Sequence, residues 1–239
     1  MRGCTLIIAG NQPYFLPYIG FWQLVNAADL FLIGDNYNFI KRGWIQRNRI
    51  LINGEPFFFG LEVKHITSFK KINETEFVDF DVGLKLNTVY RAYRKAPQFD
   101  AGYNLVKAIL DNPERNVAEF LFQSIKDVCR FLGINTKFIR SSEIPGNDNY
   151  KREYRIYDFC HRLGGDTYLN AVGGQDLYHF DDFEKHGVTL KFIHPNIRPY
   201  KQFYNAFVPG LSILDVIMFN SLDTIKEMLE DCSFIEKQK

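Results

Sequence analysis

Residues 5–33, TLIIAGNQPYFLPYIGFWQLVNAADLFLI, predict a strand, a loop, a helix and a second strand in succession. The runs at 5–10 and 30–33 are continuously apolar, which is typical of buried parallel strands. Two prolines make 11–20 a shaped loop, and 19–27 carries apolar residues at helical spacing. This succession indicates an α/β fold with an N-terminal Rossmann-like βαβ unit in a mainly parallel sheet.

The following segment predicts a β-hairpin at 44–63. Asn53-Gly54 separates two strand-like runs, and Asn-Gly is the strongest short signal for a hairpin. Side chains alternate between the two faces of a strand, so Arg47 and Arg49 are expected on the same face.

The remaining residues predict helical middle and C-terminal segments with three further strands. We expect helices at 83–95, 101–110, 117–132, 150–163, 211–219 and 222–229, strands at 136–140, 167–169 and 188–193, and loops at 141–149 and 170–178. The sequence contains no repeat and no linker. One α/β domain over 1–239 is therefore expected, in which 83–132 could form a helical sub-lobe.

The composition argues against several functional classes. A net charge of +1, from 29 basic and 28 acidic residues, does not favour a nucleic-acid binder, which carries a broad basic excess. Every apolar run is shorter than the roughly 18 residues of a membrane span, and the N-terminus lacks the apolar length of a secretory signal. Cys4, Cys129, Cys160 and Cys232 have no disulfide-framework spacing. These features predict a cytoplasmic protein with reduced thiols.

Known catalytic motifs are missing from the sequence. The 5 histidines show no HExxH spacing, so no metal site is expected. There is no GxSxG elbow, P-loop or GxGxxG fingerprint. For an enzyme, a sequential transfer that uses a general base and bound anions fits better than a covalent intermediate.

Polar residues follow several predicted strands, at the edge where ligands bind in open α/β sheets. Asn11 and Gln12 follow the first strand, Asp35 follows the second, and 170–178 follows a later one. The two amides suit a pre-organised pocket floor, although they could instead cap the following helix. In 170–178, Asn170, Gly173 and Gly174 could bring backbone N–H groups to an oxyanion or phosphate, and a plain turn is equally compatible.

A cluster of cations precedes and enters the predicted hairpin. The cluster contains four basic residues, one tryptophan and one asparagine: Lys41, Arg42, Trp44, Arg47, Asn48 and Arg49. Planar guanidinium groups suit phosphate or carboxylate, and Trp44 could stack on a ring. The alternative is an edge strand protected by charge. The proximity of Asp35 and the Asn11 loop favours an anion site.

Several segments, taken in chain order, resemble the WbqC-like protein family. They are NQPYFLPYIGFWQL, Asp35, KRGWIQRNRILINGE, YRKAPQF, Ser141-Ser142, YLNAVGGQDLY, the segment with Phe183 and Gly187, and Tyr200-Lys201-Gln202 leading to FVPGLSILDVIMFN. The likeness covers nearly the whole chain. Family members often carry His-Gln-Pro where this chain has Asn11-Gln12-Pro13. If that histidine acts as a base in relatives, this chain does without it.

The resemblance implies a role in the biosynthesis of O-antigen, the surface part of lipopolysaccharide, or of another surface polysaccharide. It also implies an activity, the transfer of an amino acid such as glycine to a sugar amine. The matching positions are Asn11, Gln12, Pro13, Pro17, Gly20, Asp35, Lys41, Trp44, Arg47, Asn48, Arg49, Asn170, Gly173, Gly174, Tyr178, Tyr200, Gln202, Ser212 and Asp215.

Three functions are compatible with these features. The leading hypothesis is an aminoacyl- or acyl-type transferase acting on an amino sugar carried on a nucleotide diphosphate. Its catalytic candidates are Asp35 as general base, Asn11 and Gln12; its substrate-binding candidates are Tyr14, Lys41, Trp44, Arg47, Asn48, Arg49, Asn170, Gly173, Gly174, Tyr178 and Gln202. The second is a non-catalytic nucleotide-sugar-binding or assembly protein of the same pathway. The third is a nucleotidyltransferase-like or adenylate-forming enzyme, because the strand–loop–helix order is similar to that of HIGH-type nucleotidyltransferases.

The expected partner is a small molecule, a nucleotide-linked sugar. The sequence specifies no further cofactor. It also leaves the oligomeric state open, although an aromatic content of 16% would suit a homodimer interface.

Overall fold

A six-stranded sheet forms the centre of the protein in a computed structural model, which describes residues 5–203 and 206–237. The strands are β1 (Ile7–Asn11), β2 (Leu30–Ile33), β3 (Arg47–Ile52), β4 (Glu55–Gly60), β5 (Lys137–Arg140), β6 (Thr167–Ala171), β7 (Thr189–Pro195) and β8 (Cys232–Ile235). The sheet order is β5-β2-β1-β6-β7-β8. All neighbours are parallel except β7 and β8, which confirms the predicted mainly parallel sheet.

Helices surround this sheet and continue beyond it. They are α1 (Ile19–Asn26), α2 (Val82–Tyr93), α3 (Phe99–Leu110), α4 (Val117–Leu132), α5 (Glu153–Leu163), α6 (Phe180–Lys185), α7 (Ile213–Phe219) and α8 (Leu222–Glu230). Short 3-10 helices occupy Ile72–Glu74, Ser141–Glu143, Asn147–Asn149 and Val172–Leu177. Within the described ranges, no helix has both the length and the apolar character that crossing a membrane requires.

The predicted βαβ unit is confirmed. β1 pairs with β2 in parallel, with Ala9 opposite Phe31. Both side chains are completely buried, because helices cover the sheet and the apolar runs face packed side chains on both sides. α1 buries nearly all its residues and packs against β6, β7 and α8.

The strand order creates a topological switch point between β1 and β6. From β1 the chain moves to β2 and β5 on one side, and it later returns to place β6 and β7 on the other side. The connections that follow these two adjacent strands run in opposite directions. A crevice therefore forms beyond the carboxyl ends of the strands, where ligands of open α/β sheets bind. The segments after β1 and β6, beginning with Gln12 and Val172, flank this crevice.

The hairpin is also confirmed, as a separate two-stranded antiparallel sheet of β3 and β4. Asn53 and Gly54 have φ angles of 53° and 84°. Two consecutive positive φ angles are the requirement of the tight turns that Asn-Gly favours. Because Arg47 and Arg49 are two residues apart in β3, both point to the same face.

The structure differs from the sequence prediction in several places, including the loop expected at 141–149, which contains the 3-10 helices Ser141–Glu143 and Asn147–Asn149. The helix expected at 150–163 begins only at Glu153, since Arg152 has a φ angle of 50°, outside the helical region. The loop expected at 170–178 instead contains the end of β6 and the 3-10 helix Val172–Leu177. α6 and β8 were not predicted, and both are short: 6 and 4 residues.

The apolar core joins the sheet to the hairpin and to helices α2–α4 and α7–α8 in one cluster. A smaller cluster packs α5 and α6 on the opposite part of the sheet. Cys129 and Cys160 are buried and free, whereas Cys4 lies outside the described residues. The single-domain organisation and the sub-lobe 83–132 stay predictions.

Candidate functional site

A cleft of about 510 Å³ lies at the topological switch point. The residues that line this switch-point cleft come from the segments after β1, β2 and β6 and from the approach to α5. Among them are Asn11, Gln12, Tyr14, Gly34, Tyr37, Arg152, Asn170, Gly173, Gly174 and Tyr178. Seven of the residues that sequence patterns proposed for the site (Asn11, Gln12, Tyr14, Asn170, Gly173, Gly174 and Tyr178) therefore share one cavity.

The amides of Asn11 and Gln12 form one side of the cleft. Asn11 Oδ1 accepts the backbone N–H of Gln12 at 2.8 Å, and the Asn11 carbonyl accepts the N–H of Gly34 at 2.8 Å. Gln12 Oε1 is enclosed and has no hydrogen-bond partner within the described part of the chain. α1 begins after Tyr18 without any side-chain cap. The two amides are therefore not helix caps.

The opposite side is built by the segment after β6. Asn170 Oδ1 accepts the N–H of Ala171 at 2.9 Å. A Cβ atom on Gly174 would lie 2.4 Å from Asn170 Nδ2, whereas a Cβ on Gly173 would meet no protein atom within 4 Å. A side chain at 174 would thus displace the Asn170 amide, and Gly173 leaves open space at the cleft wall.

Arg152 supplies a positive charge to the cleft. Its side chain is exposed, and it makes no hydrogen bond or ion pair with the residues described in the structure. Its φ angle of 50° places it in a left-handed conformation immediately before α5. Sequence patterns missed this residue because they placed it inside a helix. The cleft therefore offers a guanidinium whose donors are available to an anion.

Four tyrosines add neutral hydroxyl groups and aromatic surface. Burial raises the pKa of Tyr14, Tyr37 and Tyr178, and it raises the pKa of Tyr168 well above the ordinary value. The rings of Tyr168 and Tyr178 meet edge to face at 6.5 Å. At neutral pH these phenols stay protonated, so they donate hydrogen bonds and stack but do not act as bases.

Asp35 lies at the predicted sheet edge but is not among the residues that line the cleft. It is 2% exposed and accepts hydrogen bonds from Ser142 Oγ at 2.5 Å, Ser142 N–H at 2.9 Å and Ser141 Oγ at 2.9 Å. Neighbouring Asn36 accepts from Arg155 Nη2 at 2.7 Å. This buried network fixes the segment after β2, including the cleft residues Gly34 and Tyr37.

The hairpin cations do not line the switch-point cleft. Arg49 lines a second cavity of about 220 Å³, here called the Arg49 pocket, with Tyr14, Pro17, Tyr18, Trp44, Asn48 and Gly210. Tyr14 contributes to both cavities, so the two are neighbours. Arg47 lies against the ring of Phe58 and lines a groove on the hairpin, and Lys41 is exposed outside both cavities.

Two aromatic rings and two guanidinium groups lie in a row along the hairpin face. The Cζ atom of Arg47 is 4.3 Å from the Phe58 ring centroid, and that of Arg49 is 5.6 Å from the Trp44 ring. The Phe58 and Trp44 rings are 6.2 Å apart. With both arginines on one face, the row runs from Arg47 over Phe58 and Trp44 to Arg49, and each guanidinium lies on one ring.

Asn48 and Gln202 both have structural partners. Asn48 is buried, and its Nδ2 donates to the carbonyls of Phe15 and Leu16 at 3.3 and 3.0 Å. Gln202 is completely buried; its Nε2 donates to Asp215 Oδ1 at 2.7 Å, and its Oε1 accepts the N–H of Val208 at 2.7 Å. Gln202 therefore belongs to the protein interior and lines neither cavity.

Asp215 is the centre of that interior network. Tyr93 and Tyr200 donate their hydroxyls to its two carboxylate oxygens at 2.7 and 2.6 Å. Burial raises the pKa of Asp215, and the hydrogen bonds from Tyr200, Tyr93 and Gln202 partly oppose that rise. The carboxylate is completely buried and its partners are neutral donors.

Comparison with known proteins assigns the chain to a family. The WbqC-like protein family matches residues 12–227. The chain is 26% identical over 220 residues to the "Uncharacterized protein Rv1507c" of Mycobacterium tuberculosis (strain ATCC 25618 / H37Rv), an alignment that covers 89% of this chain and 93% of that protein. No solved structure matches the chain. The matched range includes nearly all residues of the switch-point cleft and of the Arg49 pocket. The chain belongs to the WbqC-like protein family, which is associated with polysaccharide biosynthesis.

Proposed function

We propose that the switch-point cleft binds a nucleotide-linked amino sugar and that the protein is a transferase of surface-polysaccharide (O-antigen) biosynthesis. The observation that carries this proposal is the position of Arg152. Its unpaired guanidinium lines a cleft whose walls also contain amide, tyrosine and apolar side chains, at the switch point of the sheet.

The chemistry of the lining suits the parts of such a ligand. A guanidinium forms charge-assisted hydrogen bonds with a diphosphate. Tyrosine rings stack on a base or a sugar, and the amides of Asn11, Gln12 and Asn170 can donate to and accept from sugar hydroxyls. The volume of about 510 Å³ is in the range of small-molecule sites, roughly 300–1,000 Å³.

The proposed reaction is the transfer of an acyl group, for example glycyl, from an activated aminoacyl or acyl donor to the sugar amine. The amide C–N bond forms, the bond between the acyl carbon and the leaving group of the donor breaks, and the leaving group departs with the proton that the amine loses. Asp35 is less suited to be the base than its sequence position indicates, because three hydrogen bonds occupy its carboxylate. Catalysis would then come mainly from holding the two reacting groups in contact.

One observation favours a second candidate, a non-catalytic nucleotide-sugar-binding protein. Among the described residues, the titratable side chains that line the cleft are Arg152 and four tyrosines with raised pKa values. None of these side chains is a base at neutral pH. A binding protein needs no base.

Calorimetric titration with a panel of nucleotide-sugars tests the binding step. We expect Arg152→Ala to weaken binding about 10- to 100-fold, the effect of losing hydrogen bonds to a charged group. Lys151→Ala is the matched control, since Lys151 is the adjacent exposed cation and lies outside the cleft. Equal binding by wild type and Arg152→Ala would refute the assignment of the cleft.

Mass spectrometry then separates the two candidates. Wild-type protein is incubated with the bound nucleotide-linked amino sugar and with aminoacyl or acyl donors. A sugar product that gains the mass of the transferred group supports the transferase. Tight binding without any such product, across the donor panel, supports the non-catalytic protein.

A further inference from the structure

We propose that the Arg49 pocket is a separate subsite for the carboxylate of a small organic acid. The pocket adjoins the switch-point cleft through Tyr14. The inference rests on the proposed function in one respect: the acid bound in this pocket would be the second substrate, beside the sugar. The binding of a carboxylate there can be measured without any sugar ligand.

The pocket is small and mostly apolar. Its volume of about 220 Å³ is below the range of sites for drug-sized molecules, roughly 300–1,000 Å³. Tyr14, Tyr18 and Trp44 provide three aromatic walls and Pro17 a fourth apolar surface. These dimensions suit an acid with a short or flat apolar body.

Arg49 gives the pocket its charge. Its Nη2 donates to the Gly210 carbonyl at 3.1 Å, and its Cζ lies 5.6 Å from the Trp44 ring centroid. Nε is enclosed and has no hydrogen-bond partner within the described ranges. Nη1 makes no hydrogen bond within the described residues, and Nη2 keeps a second N–H, so the Nη1–Nη2 edge of the guanidinium can donate to the two oxygens of a carboxylate.

The other polar groups of the pocket favour an anion over a cation. Burial raises the pKa of Tyr14 and Tyr18, so both phenols are neutral donors. Asn48 has no donor left for a ligand, because its Nδ2 donates to the carbonyls of Phe15 and Leu16, and its Oδ1 accepts the N–H of Arg49. The pocket thus presents one positive charge and hydroxyl donors, and no carboxylate is among its lining residues.

The surrounding backbone holds the pocket in this form before any ligand arrives. The Pro17 carbonyl accepts Trp22 Nε1 and the N–H of Ile213, both at 2.9 Å. Gly210 has a φ angle of 66°, which other residues adopt at a cost, and its carbonyl anchors Arg49. One fixed guanidinium in an aromatic enclosure suits a planar monoanion better than a phosphate dianion, which requires more positive charge.

Nuclear magnetic resonance provides a direct test, because an enclosed Arg49 Nε–H group should exchange slowly and give a separate signal. Acetate, propionate and benzoate are titrated against wild-type protein, with inorganic phosphate as the competing anion. We expect the carboxylates to shift the Arg49 signal. Arg49→Lys keeps the charge but loses the fork, and it should weaken binding about tenfold or more.

Tyr18→Phe provides a milder second variant. The Tyr18 hydroxyl makes no hydrogen bond within the described residues, so its removal should leave folding intact. We expect carboxylate binding to weaken about 2- to 10-fold, the effect of losing one neutral hydrogen bond. Arg94→Lys is the matched control, since Arg94 also lies over an aromatic ring, Tyr90, but lines neither cavity.

Three results would overturn the proposal: an Arg49 signal that carboxylates do not move, wild-type affinity in both pocket variants, or phosphate binding more tightly than every carboxylate. Its failure is distinguishable from that of the proposed function. Loss of nucleotide-sugar binding in Arg152→Ala concerns the cleft, and a carboxylate-induced shift at Arg49 concerns only the pocket.

Discussion

The Leu16 carbonyl accepts a hydrogen bond from Asn48 Nδ2 at 3.0 Å, and this contact joins the proline-containing loop to the hairpin. Leu16 has a φ angle of 45°, a left-handed conformation that costs a non-glycine residue about 1–2 kcal/mol. Ser212 Oγ donates to the same carbonyl at 2.8 Å. Two hydrogen bonds from distant parts of the chain therefore hold a strained residue between Tyr14 and Pro17.

Asn48→Ala should destabilise the fold by about 2 kcal/mol, because it removes the side-chain donor of the Phe15 carbonyl, one of the two donors of the Leu16 carbonyl and the acceptor of the Arg49 N–H. Urea denaturation measures the loss. Asn87→Ala is the control, since Asn87 is exposed on α2, and a change of about 0.5 kcal/mol or less is expected there. An equal effect of the two substitutions would contradict the anchoring role of Asn48.

Asp35→Ala should lower the unfolding free energy by about 2–3 kcal/mol, because Ser141 and Ser142 lose their charged acceptor. Ser142→Ala removes one of these hydrogen bonds and should show a smaller loss. Paired measurements of stability and of transfer activity distinguish the two roles of Asp35. Unchanged stability with abolished activity would restore Asp35 as the general base.

Asp215 should make the protein more stable at acidic pH, contrary to the usual behaviour of an aspartate. Burial raises its pKa above the ordinary 3.8, so the folded protein binds the proton more tightly than the unfolded chain does. This stabilising contribution is complete below the unfolded pKa and is lost as the pH rises through the raised folded pKa. Neutral Tyr93 and Tyr200 surround the carboxylate and leave this sign unchanged.

Urea denaturation of wild type and Asp215→Asn at several pH values between about 3.5 and about 7 would check this, because that range brackets the expected titration of Asp215. The unfolding free energy of wild type minus that of the variant should fall as the pH rises. Asp223→Asn, at an exposed position of α8, serves as the control. A difference that stays constant or grows with pH would exclude the raised pKa.

Gly173→Ala and Gly174→Ala should differ in sign although they are neighbours. A Cβ on Gly174 would lie 2.4 Å from Asn170 Nδ2 and displace that amide, so the protein should lose stability. Gly173 has open space and should tolerate alanine. The unfolding free energy should rise by about 0.4–1 kcal/mol, because alanine restricts the unfolded chain more than glycine does. Thermal unfolding of both variants measures the difference, and similar melting temperatures would refute the steric argument.

Local patterns were sufficient to predict the frame of the site. The apolar runs before Asn11 and Asp35 specified two parallel strands, and Asn53-Gly54 specified a turn with two positive φ angles. Since the carboxyl ends of parallel strands share one edge, the convergence of Gln12 with Gly174 also followed from sequence. These inferences use only chain geometry.

Sequence could not predict which polar side chains face the cavity. Asn48 and Gln202 are polar residues near binding segments, yet both are buried because tertiary partners satisfy their amides. Arg152 is the opposite case: helical periodicity predicted it inside a helix at 150–163, but α5 begins after it and its side chain lines the cleft. Partner choice depends on residues more than a hundred positions away, such as Ser141 for Asp35.

The row of rings and guanidinium groups on the hairpin restricts the side-chain conformations of its two arginines. Arg47 and Arg49 each lie on a ring and donate to a carbonyl, Arg42 and Gly210 respectively. A free arginine carries about 2 kcal/mol of rotamer entropy, and here much of that freedom disappears when the chain folds. An anion that reaches either guanidinium therefore meets a group already held in one orientation, and its association should require little further ordering of the protein.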